Sequence, residues 1–166
     1  INGTVDETSS LVLIISQTRD NIGFGAQFNP KVRSGGKALK FYSFHEIWLA
    51  VGKKIISREL EIGADVFAKV SKNKLTGKKR EADFPIYYDY GVDNLRSCID
   101  FLLAQGVWKK VKQSIDSGEM FTTATMKTLI DEIEKGDREE DLFHLVQKAW
   151  TDRENAVKLG RKRKYA

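Results

Sequence analysis

The sequence has few of the residues on which extracellular and metal-dependent proteins rely. Its single cysteine, Cys98, excludes an internal disulfide, and two distant histidines, His45 and His144, cannot complete a metal cluster of recognisable spacing. The longest apolar run, residues 11–15, is too short to cross a bilayer, and no basic region followed by an apolar signal core begins the chain. These absences predict a soluble, metal-free protein of the cytoplasm with no membrane partner.

A phosphate-binding loop is also absent. Such a loop needs Gly-x-x-x-x-Gly-Lys followed by Ser or Thr, whereas the three Gly-Lys pairs, at 36–37, 52–53 and 77–78, lack both the upstream glycine and the downstream hydroxyl. The strongest apolar strand ends in Ser16-Gln17 and therefore lacks the acidic residue that would hold magnesium. We expect this chain alone neither to hydrolyse ATP nor to bind it tightly.

The sequence contains enough apolar residues to form one hydrophobic core, and it has an excess of positive charge. Its 166 residues are 41% hydrophobic, which suits one domain, or part of a larger one joined to a small satellite. Twenty-eight Lys and Arg against 23 Asp and Glu give a net charge of +5. That balance favours a polyanionic partner without identifying it.

Apolar periodicity predicts strands in the first half of the chain. Ser10–Ser16 is a continuous apolar run typical of a buried strand. Because such a strand normally lies among parallel neighbours, we expect an amino-terminal portion of the domain to be missing. Three further strands, mainly antiparallel, are predicted at 38–51, 65–73 and 81–90.

The second half of the chain has helical periodicity. A helix should begin at an N-cap, Asp93 or Asn94, and end at Gly106. Residues 107–121 suggest a hairpin that turns at 116–118. Two amphipathic helices are predicted at 123–135 and 138–153.

Residues 18–37 are predicted to form a long loop between the first two strands. The composition changes there to Gly, Asn, Pro, Ser and charged residues, and a length of about 20 residues exceeds that of most structureless loops in compact domains. A functional loop and a disordered surface segment both remain open.

The order of motifs along the first 105 or so residues resembles the RecA family of DNA recombinases. The most distinctive block, Gly35 to Tyr42, lies 18 residues after Gln17, and Lys72-Asn73-Lys74 and an aromatic strand at 84–91 follow in the family's order. The earlier landmarks are Leu13-Ile14-Ile15-Ser16-Gln17-Thr18-Arg19, Ile22-Gly23 and Asn29-Pro30. A longer second DNA-binding loop and a basic carboxy terminus make the chain more similar to a bacteriophage or divergent bacterial member.

This resemblance implies an α/β fold, mixed α+β within the chain. Residues 1–91 would form the carboxy-terminal part of a RecA-like P-loop ATPase core sheet, including the DNA-binding loop 18–37. Residues 92–157 would form a small, helix-rich carboxy-terminal domain. Residues 158–166 would be a basic tail that either adds nonspecific DNA affinity or is a frayed, solubilising terminus.

The resemblance also implies roles for particular side chains around ATP. Gln17 would sense the γ-phosphate, and Lys72 and Lys74 would reach the ATP of a neighbouring subunit. Lys40 and Phe41 would lie at the subunit interface, although Glu46 stands near a place where the family usually has a basic residue. From the residues alone, Gln17 could equally be a strand-end cap, and alternating lysines could guard an edge strand.

The loop implies contacts to single-stranded DNA that read no sequence, because its basic residues suit phosphates and its apolar residues suit stacking on bases. The predicted contacts are Arg19, Ile22, Phe24, Phe28, Arg33, Gly35, Gly36 and Lys37.

The function implied for the intact protein is homologous pairing and strand exchange. Such a protein would form a homo-oligomeric filament on single-stranded DNA, with ATP and magnesium at its subunit interfaces. Two alternatives remain open: a stand-alone, non-catalytic module that binds single-stranded DNA or a filament, and a structural interaction domain whose basicity is incidental.

Overall fold

A computed structural model describes residues 7–8, 10–20, 22, 27, 31–33 and 36–161. The chain divides into two compact units: unit 1 comprises residues 1–46 and 71–78, and unit 2 comprises residues 47–70 and 79–166. Each unit is described by itself below.

Eight strands lie in the described part of the chain, and they form one four-stranded sheet and two separate pairs. The sheet has the order β3-β4-β5-β6, while β1 pairs with β2 and β7 pairs with β8. The strands are β1 Thr18–Asp20, β2 Lys31–Arg33, β3 His45–Ser57, β4 Leu60–Asn73, β5 Glu81–Tyr87, β6 Gly91–Val92, β7 Lys109–Val111 and β8 Ser114–Asp116. The helices that can be bounded are α1 Gly36–Tyr42, α2 Asn94–Ala104, α3 Met126–Lys135 and α4 Glu139–Ala156.

Unit 2 contains the hydrophobic core. Residues spaced three or four apart on α2 and α3 bury one face of each helix, as the periodicity predicted. The buried cluster consists of Leu95, Ile99, Leu102, Trp108, Ile115, Phe121, Leu129, Ile133 and Leu142. Asp93 is the N-cap of α2, its carboxylate accepting a hydrogen bond of 2.9 Å from the Arg96 amide, and Gly106 follows the helix with a φ of 71°.

The strands predicted at 65–73 and 81–90 are confirmed. The first lies within β4 and the second begins with β5, and the two pair in antiparallel fashion, with Ala64 opposite Ile86 and Lys69 opposite Glu81.

The prediction of a buried strand at Ser10–Ser16 is wrong. These residues have no regular secondary structure, and their apolar side chains are exposed, with Leu11 at 92% and Ile15 at 90%. A continuous apolar run forms a buried strand only where neighbouring strands and helices cover it. None of the described strands pairs with residues 10–16.

Two other predicted boundaries need correction. The segment predicted as a strand at 38–51 begins as α1, because Ala, Leu and Lys favour helix, and becomes a strand only at His45. The hairpin predicted within 107–121 turns at Lys112, whose φ is 58°, rather than at 116–118. Residues 116–118 form a separate turn in which the Gly118 amide donates to the Asp116 carboxylate at 3.0 Å.

Candidate nucleic-acid interface

A two-stranded ribbon forms the base of the predicted DNA-binding loop. Strands β1 and β2 are antiparallel, with Thr18 opposite Arg33 and Asp20 opposite Lys31. The loop predicted at 18–37 thus contains regular structure near both ends, because residues 18–20 pair with residues 31–33 and Lys37 belongs to α1. The pairing brings Arg19 and Arg33, which are 14 positions apart in sequence, onto neighbouring strands.

One cross-strand ion pair closes the last step of this ribbon. Lys31 Nζ lies 2.5 Å from Asp20 Oδ1, and both side chains are more than half exposed. A pair exposed to this extent stabilises the ribbon by about 0 to 1 kcal/mol. Its main effect is that Lys31 and Asp20 compensate each other's charge, which leaves Arg19 in β1 and Arg33 in β2 as the remaining charged residues of the ribbon.

The structure describes some of the other predicted DNA contacts and not others. Ile22 is 99% exposed, and Gly36 and Lys37 begin α1. Phe24, Phe28 and Gly35 lie outside the described residues. Gln17 lies in an exposed segment directly before β1, so the expectation that it ends a core strand is wrong; its role as γ-phosphate sensor stays a prediction.

Most of the net positive charge belongs to unit 1, which contains the ribbon. The unit contains eight Lys and Arg and four Asp and Glu, so it accounts for +4 of the chain's net charge of +5. Unit 2 is larger and nearly neutral. The charge that suits a polyanion thus accompanies the predicted DNA-binding loop rather than being spread over the chain.

The two predicted ATP-contacting lysines converge on the end of α1. Lys72 lies in β4 and Lys74 follows its last residue, so the alternation places both side chains on the same side. Their Nζ atoms donate to the same acceptor, the carbonyl oxygen of Phe41, at 3.2 Å and 2.8 Å. Lys72 Nζ also donates to the carbonyl oxygen of Lys40. The structure therefore brings together all four residues that were predicted for ATP in trans and for the subunit interface.

Aromatic rings surround the Lys74 ammonium group. Its Nζ lies 5.7 Å from the ring centroid of Phe41 and 5.4 Å from that of Phe44, which is within cation–π range. Phe41 remains 72% exposed. Phe41 therefore presents an exposed aromatic ring beside a cation.

Several members of this site could not be found from the sequence. Ser43 donates from its hydroxyl to the Lys40 carbonyl at 3.3 Å, and the Lys74 amide donates to the Phe44 carbonyl at 2.9 Å. Pairing of Asp20 with Lys31 depends on the ribbon register, for which no local sequence signal exists. The half-buried Glu46 accepts a hydrogen bond at its backbone oxygen from the Ser71 hydroxyl at 3.2 Å.

Comparison with known families decides what this arrangement belongs to. A model of the RecA N-terminal domain matches residues 1–93, more than half of the chain. The chain belongs to the RecA family. Its RecA relatives include the RecA proteins of Chlorobaculum tepidum, 35% identical over 129 residues, and Thermus aquaticus, 31% identical over 122 residues.

The matches to these RecA proteins cover most of the chain but little of each relative. They include 76% and 72% of this chain, respectively, and 35% of each relative. RecA of Mycoplasma mycoides is similar, at 32% identity over 65% of the chain and 33% of the relative. The chain spans about a third of the length of the RecA proteins it matches.

The described part of this RecA-family chain has neither a membrane-spanning helix nor a cluster of metal ligands. None of the helices there is long and apolar enough to cross a membrane. No group of three or more His, Cys, Asp and Glu side chains in the same part of the chain could hold a metal ion.

Proposed function

We propose that this chain supplies the single-stranded-DNA-binding and subunit-interface elements of a RecA-type recombinase. The intact protein would polymerise on DNA, pair homologous strands and exchange them. Family membership supports a recombination role in general. The observation that carries the finer proposal is the ribbon β1–β2, which pairs residues 18–20 with 31–33 of the predicted loop, within the unit that holds nearly all of the net positive charge.

The ribbon and loop would hold a single strand by its backbone. Arg19, Arg33 and Lys37 would donate to phosphates, while Ile22, Phe24 and Phe28 would contact or stack on bases. Such contacts ignore base identity, and they leave the base edges available for pairing with a homologous strand.

ATP and magnesium would act at subunit interfaces of the intact filament. Lys72 and Lys74 fit part of that ligand, because two ammonium groups that meet on one carbonyl oxygen at 3.2 Å and 2.8 Å can also meet on a phosphate oxygen. When bound, ATP would supply phosphoryl-transfer chemistry, and these lysines would offset its negative charge. Gln17, directly before β1, would report the nucleotide to the loop.

Fluorescence anisotropy with labelled single-stranded oligonucleotides tests the DNA-binding part of this proposal. The native chain should bind with an affinity that falls as salt rises. Replacing Arg19, Arg33 and Lys37 with Ala should weaken binding and reduce the slope of log affinity against log salt by up to about 2, since each phosphate contact on a single strand contributes about 0.7.

A matched control removes the same number of charges elsewhere. Lys109→Ala, Lys110→Ala and Lys112→Ala alter the β7–β8 hairpin of unit 2 and should leave most of the affinity intact. Equal losses in the two triple variants would show that net charge, not the ribbon, determines binding. DNA binding that survives the ribbon variant unchanged would refute the proposed interface.

A second candidate is a non-catalytic module that binds a recombinase filament. The exposed apolar side chains of Leu11, Leu13 and Ile15, at 92%, 82% and 90%, favour contact with another polypeptide. Such a module would shorten or block filaments of an intact RecA protein while showing no DNA affinity of its own.

A further inference from the structure

We propose that Lys72 and Lys74 form a clamp that holds the carboxy-terminal end of α1 and that opens when their ammonium groups engage a polyphosphate. The choice of a polyphosphate as the ligand rests on the proposed function. The clamp itself rests on the contacts of unit 1.

The carboxy-terminal end of α1 requires hydrogen-bond donors from outside the helix. The last carbonyl groups of any helix lack intrahelical donors, and a helix of seven residues is too short to be stable by itself in water. The carbonyls of Lys40 and Phe41 lie in this last turn. Without donors from outside the helix, the turn would fray into solvent.

The clamp provides those donors from another part of the chain. Lys72 donates to both carbonyls, Lys74 donates to that of Phe41, and the Ser43 hydroxyl adds a contact of 3.3 Å to that of Lys40. Positive charge at a helix carboxy terminus is also favourable because it meets the negative end of the helix dipole. Lys72 and Lys74 therefore act as the cap of α1, at a distance of more than 30 positions in sequence.

Lys74 connects this cap to the exposed ring of Phe41. Its ammonium group binds the Phe41 carbonyl at 2.8 Å and also lies 5.7 Å from the centre of the Phe41 ring. Both the main chain and the side chain of Phe41 are thus fixed by one cation. The lysine is a positioning residue for the proposed interface aromatic.

A polyphosphate should compete with the helix for the same ammonium groups. Charged phosphate oxygens accept stronger hydrogen bonds than neutral carbonyl oxygens, so a bound polyphosphate should draw both lysines away from α1. Helix α1 begins only three positions after β2. A less ordered α1 would therefore also reduce the order of the ribbon. The clamp would then be closed without the anion and open with it.

Hydrogen exchange of the full chain, resolved at single amides by NMR, tests the closed state. The reporting amide is that of Ser43, which donates to the Leu39 carbonyl at 3.0 Å in the last turn of α1. Lys72→Met with Lys74→Met keeps the apolar stems but removes both cations, and it should speed exchange at Ser43 by about 3- to 10-fold. Lys53→Met, which removes an exposed cation from β3, should leave this rate unchanged.

Sodium tripolyphosphate tests the open state. In the native chain, millimolar tripolyphosphate should raise the Ser43 rate toward that of the double variant, and in the double variant it should have no effect. An unchanged rate in the double variant would show that the lysines do not cap α1. An unchanged or slower rate in the native chain with tripolyphosphate would show that the clamp does not open.

Two controls distinguish failure of this proposal from unfolding of the variants and from failure of the proposed function. Exchange at the buried Ile99 of unit 2 should stay constant in every sample, and Lys72→Leu with Lys74→Leu, which also removes both donors, repeats the test if the Met variant alters it. A chain that binds no DNA yet shows this exchange pattern would overturn the proposed function and leave the clamp standing.

Discussion

Burial and charge act in opposite directions on Asp100 in α2. Burial raises the pKa of this carboxyl group, the Arg96 guanidinium 3.6 Å away lowers it, and the nearby carboxylates of Asp65 and Asp93 raise it again. The net direction is upward. Relative to the unfolded chain, folding therefore shifts the titration of Asp100 toward the neutral form, although the Arg96 ion pair by itself favours the charged form.

This balance predicts how Asp100→Asn should respond to pH. Because the folded-state pKa is raised above the unfolded value of about 3.9, the contribution of Asp100 to stability is fully present below that pH and is lost as pH rises through the folded pKa. Asn stays neutral. The free energy of unfolding of the variant, relative to native, should therefore increase between pH of about 3 and about 7.

Urea denaturation of both chains at several pH values measures this difference. Asp152→Asn, which neutralises an exposed carboxylate on α4, serves as the control and should show little change relative to native. A relative stability of Asp100→Asn that falls as pH rises would mean that the Arg96 ion pair outweighs burial.

At the scale of elements, the turn between β3 and β4 places two residues other than glycine in the left-handed backbone conformation. Arg58 and Glu59 separate the two strands, and both have positive φ values, 48° and 66°. Two consecutive residues of this kind fit a type I′ hairpin turn, which strongly prefers Asn-Gly. Side chains with a Cβ are strained in this conformation.

Replacing this turn with Arg58→Asn and Glu59→Gly should therefore stabilise the hairpin. We expect the free energy of unfolding to rise by about 1 kcal/mol, measured by urea denaturation. The same dipeptide placed inside β3, as Ala50→Asn with Val51→Gly, should lower it, because neither position has a positive φ. Equal effects of the two replacements would show that turn geometry is not the cause.

The turn also shows why parts of the fold could not be predicted from the sequence. Asp93 and Gly106 mark the ends of α2 with residues that act locally, and both were identified correctly. Arg58-Glu59 carries no turn signal, so the predicted strands stopped at 51 and resumed at 65, and the turn and the full length of β3 and β4 were missed. Helix α1 was hidden because the aromatic pair at its end, Phe41-Tyr42, is typical of strands.

The candidate site was predictable to a similar, partial extent. The alternation of Lys72 and Lys74 predicted a shared side, and the structure brings them to one carbonyl oxygen. That this carbonyl belongs to Phe41 depends on a tertiary contact that no local pattern encodes. The same holds for Asp20 and Lys31, which meet only in the register of the ribbon.

At the scale of the whole molecule, stability should differ between the two units. Every buried hydrophobic side chain of the described residues lies between Ala64 and Leu142, within unit 2. The described hydrophobic residues of 11–15 are all more than half exposed. The described part of unit 1 therefore has little buried apolar surface with which to oppose local opening.

Hydrogen exchange should accordingly follow two regimes. Amides at Ile99, Leu102 and Leu129 should exchange slowly and be limited by unfolding of unit 2. Amides of residues 11–20 should exchange at least about 100-fold faster, because their local opening costs little free energy. Equal protection of the two sets, measured by mass spectrometry of peptides, would show that the chain unfolds as one cooperative body.

The pairing of β1 with β2 also determines how much the loop between them can vary in length. Since Asp20 and Lys31 are held opposite each other, the ten residues between them only have to close a gap that the ribbon already fixes. The entropy of closing such a gap grows with the logarithm of length, so even doubling the segment would cost only about 0.6 kcal/mol. Insertions and deletions here should therefore be nearly neutral for folding, and loop length is free to be selected by how far the chain must reach.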